Sequence, residues 1–323
     1  MSLSPEQVQW FSSTFAQLVA NIERAVVGKT EVVQLALTAL VAEGHLLLED
    51  FPGTGKTSLA RAIAQTLHGK QSRIQFTPDL LPSDVTGNSI YDQRTQRFEF
   101  IPGPIFANVV LADEINRASP KTQSALLEVM EESHVTVEGV THSVGRPFMV
   151  IATQNPIEQA GTYRLPEAQL DRFIMKASLG YPDHASAVKI LAQPTYARGG
   201  VVLEPKISND HVATMIDYAA AVHIDQTVLE YIARLNEETR EAPDVVLGTS
   251  VRAGLALSRA AKVRALASGR DYVVPDDVKR LAVVVLAHRM VLDPEEEFRG
   301  ATPEGVVKRI LDRLPVPQES AAT

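Results

Sequence analysis

The sequence contains no cysteine. This absence excludes disulfide bonds and thiolate metal sites, and it makes the reducing cytoplasm the compartment that we expect. A membrane span is not expected, because the most apolar late run, residues 281 to 292, is interrupted by His288 and Arg289. The N-terminal stretch MSLSPEQVQWF also lacks the basic start and the apolar segment of a signal peptide. Together these features predict a cytoplasmic protein.

Positive charge is not in excess, because 31 basic residues stand against 39 acidic ones, a formal net charge of -8. Bulk electrostatics of this sign do not hold a chain to nucleic acid or to an anionic membrane, and we expect neither as a partner. The sequence does contain ample apolar material, with 45% hydrophobic residues among 323. This length predicts one large or two ordinary globular domains.

Short apolar runs alternate with helical patterns from residue 45 to about residue 180, which predicts an α/β fold with a parallel sheet. The runs are HLLLE at 45 to 49, RIQFT at 73 to 77, NVVLA at 108 to 112, PFMVIAT at 147 to 153 and FIMKASL at 173 to 179. Between these strands, residues 88 to 101 and 134 to 144 have the alternation and the turn of β-hairpins.

The β signal nearly vanishes after Tyr181 and Pro182. Helices are predicted at about 184 to 193, 209 to 222, 226 to 241, 250 to 267, 276 to 289 and 303 to 313. The sequence therefore predicts two domains, an αβα core over residues 1–200 and an all-helical domain over residues 201–323.

A candidate phosphate-binding loop lies between the first predicted strand and a helical pattern. The stretch DFPGTGKT fits the pattern GxxxxGK[ST] except at its first letter. The residues that we expect to bind the nucleotide follow that letter: Pro52, Gly53, Thr54, Gly55, Lys56, Thr57 and Ser58. The glycines allow close backbone approach, Lys56 meets the β and γ oxygens, and the Thr57 hydroxyl can coordinate Mg²⁺. The alternative is a glycine-rich turn that binds no ligand.

Asp50 occupies the position where the loop pattern asks for glycine. Aspartate tolerates left-handed backbone and can hydrogen-bond to its own chain two residues on. We therefore expect Asp50 to make the turn that glycine usually makes, without a part in holding phosphate.

Two of the predicted strands end in polar residues. Asp113 and Glu114 follow NVVLA, and Asn155 follows PFMVIAT. Because the carboxyl ends of parallel strands face the ligand crevice, Asp113 can hold Mg²⁺ and Glu114 can polarise the attacking water. Asn155 is a candidate to bind the γ-phosphate or that water. The alternatives are a capping pair for the helix that begins at Pro120, and a strand end that merely caps a turn.

Two arginines are candidates to contact phosphate. Arg172 either forms a surface pair with Asp171 or reaches a phosphate of a neighbouring subunit, where it would stabilise the charge that hydrolysis develops. Arg252 lies in the first turn of a predicted helix capped by Thr249 or Ser250. A cation there opposes the helix dipole, which favours a nucleotide contact over a solvated charge.

These motifs, in this order, resemble an AAA+ ATPase with a helical lid. More narrowly, the chain resembles the MoxR family over about residues 27 to 292, in the stretches LLLEDFPGTGKTSLARA, PDLLPSDVTG, FIPGPIFANVVLADEINRASPKTQSALLEVMEE, ATQNPIEQAGTYRLPEAQLDRF and TSVRAGLAL. The resemblance implies a P-loop AAA+ core with a parallel five-stranded sheet and inserted β-hairpins, followed by an all-α lid domain. It implies these roles: Walker A for Lys56 and Thr57, Walker B for Asp113 and Glu114, sensor one for Asn155, arginine finger for Arg172 and sensor two for Arg252.

The family resemblance also implies an activity. Members are commonly hexameric, chaperone-like ATPases that assist the maturation of complexes or metal insertion, often with a von Willebrand factor type A partner. We therefore expect a ring that hydrolyses ATP with Mg²⁺ and remodels or matures a protein client. The ATPase subunit of a chelatase is one alternative, and a nucleotide-gated scaffold or DNA-acting ring is another. The intact Glu114 favours turnover, and the net negative charge counts against DNA.

Overall fold

A computed structural model describes residues 3–51, 53–155, 163, 165–192 and 201–317. The helices of the first part of the chain are α1 Pro5–Glu23, α2 Thr30–Val41, α3 Lys56–Thr66, α4 Pro82–Thr86, α5 Pro120–Glu132, α6 Glu167–Leu170 and α7 His184–Ala192. The helices of the last part are Asn209–Ala221, Gln226–Glu241, Val251–Ala267, Pro275–Leu286, Pro294–Phe298 and Pro303–Arg313. Short 3-10 turns span Ile115–Arg117 and Ala287–Arg289. No helix in these described ranges is both long and apolar enough to cross a membrane.

The central sheet has five strands: β1 Leu46–Glu49, β2 Gln71–Gln75, β5 Val109–Asp113, β8 Met149–Gln154 and β9 Met175–Ala177. Their order across the sheet is β2-β5-β8-β1-β9. Pairing is parallel, with Gln75 opposite Asp113 and Glu49 opposite Gln154. The apolar residues of β1, β5 and β8 are fully buried, as expected for parallel strands covered on both faces. The register therefore places the polar carboxyl ends of neighbouring strands side by side.

Both inserted hairpins are confirmed. β3 Gly87–Asp92 pairs antiparallel with β4 Arg97–Pro102, and β6 His134–Val137 pairs antiparallel with β7 Val140–Ser143. The second hairpin turns through Glu138 at φ 51° and Gly139 at φ 80°. Two consecutive positive φ angles are what the favoured two-residue hairpin turn requires, so the Glu-Gly pair specifies this turn.

The predicted helices after residue 182 are confirmed to within a few residues. The structure adds helices that the sequence did not suggest, namely α1, α2, α4 and Pro294–Phe298. It also adds a small pair of strands, β10 Val245–Leu247 with β11 Val291–Leu292. The predicted strand RIQFT is displaced, since β2 ends at Gln75 and Phe76 lies beyond it. Phe76 is nevertheless fully buried, and its apolar side chain produced the misplaced strand signal.

Contacts divide the chain into two compact units. One comprises Met1–Ala16, Pro166–Lys176 and Thr214–Thr323, and the other comprises Gln17–Leu165 and Ala177–Ala213. The first unit contains most of the late helices, and the second contains the phosphate-binding loop and most of the sheet. The division of the sequence into domains 1–200 and 201–323 stays a prediction.

Candidate nucleotide site

The loop after β1 is shaped by glycines. Gly53 has φ 83° and Gly55 has φ 97°, a left-handed region that side chains other than glycine rarely adopt. A Cβ atom placed on either glycine would meet no atom within 4 Å, so backbone conformation, not crowding by other protein atoms, requires glycine here. Thr54 lies between them and is buried. The loop thus presents an open backbone surface of the kind that cradles phosphate.

Helix α3 begins at Lys56, directly after the glycines, so Thr57 and Ser58 lie in its first turn. The Lys56 ammonium donates to the carbonyl oxygens of Asp50, at 3.0 Å, and Phe51, at 3.1 Å. The N-terminus of α3 and this ammonium bring positive charge to the loop, which favours an anionic ligand. Pro52 lies outside the described residues.

Asp50 does not make a left-handed turn, and that expectation was wrong. It is absent from the residues with positive φ, and it is only 3% exposed. Its carboxylate instead accepts hydrogen bonds from Ser178 Oγ at 2.8 Å, Leu179 N at 2.6 Å and Gly180 N at 2.8 Å. A buried carboxylate needs such donors. Asp50 therefore ties the start of the loop to the segment that follows β9.

The carboxyl ends of β5 and β8 carry the acidic pair and a threonine that joins its members. Thr153 Oγ1 donates to Asp113 Oδ1 at 2.6 Å and accepts from the backbone N–H of Glu114 at 2.9 Å. Glu114 has φ 57°, an uncommon conformation for a residue with a side chain and one that clusters at functional sites. Thr153 thus fixes both acidic residues relative to each other.

Two side chains of β2 complete this edge of the sheet. Arg73 Nη2 lies 2.6 Å from Asp113 Oδ2, and Gln75 Nε2 donates to Glu114 Oε2 at 3.2 Å. Arg117 Nη1 also contacts Glu114 Oε2 at 2.8 Å. The sequence interpretation missed Arg73, Gln75 and Thr153. The signal was available in part, because alternate residues of a strand share a face and Arg73 and Gln75 are two apart.

These groups line one cleft of about 440 Å³. Its lining residues from the loop and α3 are Asp50, Gly53, Thr54, Gly55, Lys56 and Thr57, and those from the strand ends are Arg73, Gln75, Asp113, Glu114, Thr153 and Asn155. The structure therefore brings together the predicted loop residues from Gly53 to Thr57, the acidic pair and Asn155, whereas Ser58 does not line the cleft. Arg172 and Arg252 belong to the other compact unit.

The cleft offers Mg²⁺ few protein ligands. No cluster of three or more histidine, cysteine, aspartate or glutamate residues suited to a metal occurs in the described part of the chain. Mg²⁺ at nucleotide sites commonly uses one or two protein oxygens and completes its shell with phosphates and water. Asp113 and Thr57 could supply those protein oxygens, so the residues present fit a metal that arrives with its nucleotide.

In the other unit, Arg172 follows α6, and its backbone N–H donates to the carbonyl oxygen of Gln169 at 3.2 Å. Arg252 lies in the first turn of the helix Val251–Ala267, whose N-cap is Ser250, one of the two predicted caps. The Ser250 side chain does not cap its own helix, because its hydroxyl donates to Asp171 Oδ2 at 3.2 Å. Asp171 thus connects the segments that carry the two arginines.

Comparison with known proteins agrees with this architecture. A family model described as the ATPase family associated with various cellular activities matches residues 45–175, and an AAA lid domain model matches residues 237–310. The chain is 49% identical to the uncharacterised Bacillus subtilis protein YeaC over 304 residues, 94% of this chain and 95% of YeaC. It is 40% identical to Chaperone MoxR1 of Mycobacterium tuberculosis over 319 residues, 95% of this chain and 84% of MoxR1. The chain belongs to the MoxR family of AAA+ ATPases.

A solved structure extends the agreement to the whole fold of this MoxR-family ATPase. The crystal structure of a candidate ATPase from Cytophaga hutchinsonii superposes with a TM-score of 0.90 at 37% identity, covering 97% of this chain and 98% of that one. Fold, ATPase class and nucleotide binding are thus confirmed for the MoxR-family chain. The roles of individual site residues stay predictions.

Proposed function

We propose that this MoxR-family protein hydrolyses ATP with Mg²⁺ and uses the energy to remodel or mature a protein client. The observation that carries the proposal is the cleft that holds Lys56, Asp113 and Glu114 together with the open glycine loop. The name of Chaperone MoxR1 supports the client part of the proposal. Assistance to metal insertion is one form that such maturation takes.

Each residue has a role in this proposal. The loop residues 52 to 58 bind the phosphates, with Lys56 at the β and γ oxygens, and Thr57 and Asp113 hold Mg²⁺. Glu114 polarises the attacking water, and Asn155 positions that water or the γ-phosphate. The Thr153 hydroxyl contacts Asp113 and the backbone N–H of Glu114. It therefore holds the proposed magnesium ligand and the proposed water-polarising residue in fixed positions relative to each other.

The proposal extends to a ring, most simply a hexamer, in which each nucleotide site is completed by the next subunit. Arg172 acts as the finger that reaches the neighbouring γ-phosphate, and Arg252 contacts the nucleotide from the lid. We keep the division into a core of residues 1–200 and a lid of residues 201–323. We further propose a cytoplasmic location and a von Willebrand factor type A protein as partner.

The test of the cleft compares two substitutions. Lys56→Ala should abolish ATP binding, whereas Glu114→Gln should bind ATP and lose hydrolysis, because one residue grips phosphate and the other activates water. Lys121→Ala and Glu128→Gln are matched controls, since both residues are exposed on α5 and neither lines the cleft. Equal loss of ATP affinity in both test variants contradicts the proposed roles. If the unmodified protein binds ATP but does not hydrolyse it, the protein is a nucleotide-gated scaffold instead.

The test of the shared site mixes two inactive variants, Lys56→Ala and Arg172→Ala. Some interfaces in mixed rings pair an intact loop from the second variant with an intact Arg172 from the first. ATPase activity should therefore return, from a level about 10³-fold below wild type. No recovery in mixed rings, confirmed by co-purification of differently tagged subunits, means that Arg172 does not act across subunits.

A further inference from the structure

The compact unit that contains Arg172 also contains a buried arginine, Arg289, at the end of the 3-10 turn Ala287–Arg289. The Arg289 side chain is 2% exposed, and its Nε atom lies 2.7 Å from Asp171 Oδ1. Arginine is rarely buried unless it is paired and hydrogen-bonded, because removal of a charge from water is costly. The position of this guanidinium therefore requires an explanation.

Arg289 donates to both sides of Arg172 in the chain. Its Nη2 atom contacts the carbonyl oxygens of Asp171 at 3.3 Å and Phe173 at 2.6 Å, and its Nη1 atom contacts that of Ile174 at 3.3 Å. Nη1 also donates to the Val285 carbonyl oxygen. Residues 171 to 174 form a turn without helix or strand, so their carbonyl groups need partners from elsewhere.

His288 reinforces the same contact. Its Nε2 atom lies 3.1 Å from the Phe173 carbonyl oxygen, and since a carbonyl only accepts, Nε2 carries the proton. Burial, followed by the adjacent Arg289 charge, holds the pKa of His288 well below its ordinary value, so the imidazole is neutral. A neutral donor and a charged donor thus share one carbonyl oxygen next to Arg172.

Asp171 carries the connection further. Its Oδ1 atom accepts from Arg289 and its Oδ2 atom accepts from Ser250, the N-cap of the helix whose first turn contains Arg252. The segment of Arg172 and the helix end of Arg252 are therefore joined through one carboxylate. A planar guanidinium with several fixed donors suits this task, because it sets the geometry of a turn as well as neutralising a charge.

We propose that Arg289 is a positioning residue for ATP hydrolysis, which holds the backbone around Arg172 and fixes it relative to the helix that carries Arg252. This inference rests on the proposed role of Arg172 in hydrolysis. Arg289 acts through Arg172 and does not itself touch the nucleotide. Small displacements of a catalytic group are known to reduce rates by about 10²-fold, which sets the size of the expected effect.

The experiment uses Arg289→Lys, which keeps the positive charge but removes the fork of donors. ATP binding should match wild type, and kcat should fall by about 10²-fold. The matched control is Arg270→Lys, because Arg270 makes a comparable two-point contact with Asp277, at 2.8 and 2.9 Å, that does not involve residues 171 to 174. The control should keep kcat within about twofold of wild type, since its contact shares no partner with the turn that contains Arg172.

A second readout separates positioning from general damage to the fold. Mixed with Lys56→Ala, the Arg289→Lys variant should recover activity, because its own loop is intact and its partner supplies an intact Arg172. Mixed with Arg172→Ala, it should not recover, because neither subunit offers a well-placed finger. Where Lys56→Ala and Arg172→Ala restore each other's activity, recovery of Arg289→Lys in neither mixture shows that its whole chain is damaged, and that result overturns the proposal.

A double mutant tests whether Arg289 acts through Arg172, and this test does not depend on whether Arg172 acts across subunits. Arg172→Ala combined with Arg289→Lys should be no slower than Arg172→Ala alone, whereas independent residues would lose activity multiplicatively. Multiplicative loss overturns the positioning role. Full activity of Arg172→Ala overturns the proposed function of Arg172, while its inactivity combined with full activity of Arg289→Lys overturns only the positioning.

Asp171→Asn is the second variant, in case Arg289→Lys does not fold. It keeps an oxygen that can face Arg289 but removes the negative charge, so the contact is weakened without leaving a cavity. The same pattern is expected at smaller size, a loss of about tenfold in kcat with unchanged ATP binding and recovery only with Lys56→Ala. Wild-type kcat in Asp171→Asn, with the fold verified by its melting temperature, overturns the proposal.

Discussion

Asp50 and Arg289 hold turns in different compact units, and they do so with opposite charges. Asp50 accepts from the backbone N–H groups of Leu179 and Gly180, whereas Arg289 donates to the backbone carbonyls of residues 171, 173 and 174. Both are buried, and each lies beside a residue with a proposed role in hydrolysis. The carbonyl oxygen of Asp50 accepts from Lys56, and Arg289 contacts the backbone carbonyls on both sides of Arg172.

Asp50 and Arg289 differ in the kind of group that binds their charged side chains. The Asp50 carboxylate is met by uncharged donors, one hydroxyl and two backbone N–H groups. Arg289 is met by an ionised partner as well as by carbonyls, because Asp171 pairs with it. Removal of one partner of a buried ion pair leaves the other charge without its partner. We therefore expect substitution of Arg289 to lower the free energy of unfolding more than substitution of Asp50 does.

The largest effect is expected for Arg289→Met. It removes the guanidinium and leaves the Asp171 carboxylate without its charged partner, so the free energy of unfolding should fall by about 3–5 kcal/mol. Urea denaturation followed by circular dichroism measures the change. The control is Arg299→Met, whose ion pairs with Glu295 and Glu296 are exposed and should contribute less than about 1 kcal/mol. A loss of similar size in both variants would show that the buried pair of Arg289 and Asp171 contributes no more to stability than the exposed pairs of Arg299.

A smaller but substantial effect is expected for Asp50→Gly, the change that restores the common letter of the loop pattern. It leaves the buried Leu179 N–H and the neighbouring Gly180 N–H without their acceptor, and stability should fall by about 2–3 kcal/mol. Ser178→Ala, which removes only the hydroxyl donor, should lose about 1 kcal/mol. Thermal unfolding of both variants tests the order, and an Asp50→Gly protein as stable as wild type would refute the tie to residues 178 to 180.

Features that depend on neighbours in the chain were predictable from the sequence. The glycine loop and the hairpin turn at Glu138 and Gly139 each follow from residues within a few positions. So does the cap of the helix Pro303–Arg313, where the Thr302 side chain accepts from the backbone N–H of Gly305. Their chemistry is local, since a positive φ or a capping hydroxyl is specified by one residue type. The acidic strand end at Asp113 was predictable for the same reason.

Features that depend on distant partners were not predictable. Asp50 meets Leu179 across 129 positions, and Arg289 meets Asp171 across 118. No local pattern distinguishes an aspartate that will turn the chain from one that will bind a later segment. Thr153 was hidden in the same way, because its role as the link between Asp113 and Glu114 exists only once β5 and β8 are paired.

The next effect is the pH dependence of stability that His288 contributes through its contact with the turn of residues 171 to 174. Burial depresses the pKa of His288 below its ordinary value of 6.5, so the unfolded chain binds more protons between the two values. Stability should rise with pH there and be lost as pH falls below about 6.5, with a slope of up to about 1.4 kcal/mol per pH unit. Comparison of unfolding free energies at neutral and mildly acidic pH in wild type and His288→Gln isolates this contribution.

His288→Gln keeps an amide donor that can face the Phe173 carbonyl oxygen, but it does not titrate. Every other titrating group is shared by the two proteins, including Lys176, whose charge also lowers the pKa of His288. The difference between their pH profiles therefore reports on His288. Parallel profiles below pH 6.5 would show that His288 is not held neutral in the folded protein.

The smallest effect is expected for Ser250→Ala, which tests whether Asp171 couples the segment of Arg172 to the helix of Arg252. The substitution removes one hydrogen bond, 3.2 Å long and exposed, and leaves the Arg289 contact intact. A single hydrogen bond of this kind contributes about 0.5–1 kcal/mol, which corresponds to a fall of roughly two- to fivefold in kcat if the contact helps to place the two arginines. Ser258→Ala is the control, because Ser258 donates to the Gly254 carbonyl oxygen within the same helix and should leave kcat unchanged. Equal kcat values in the two variants would mean that the contacts of Arg289 with residues 171 to 174 position Arg172 without help from the helix that carries Arg252.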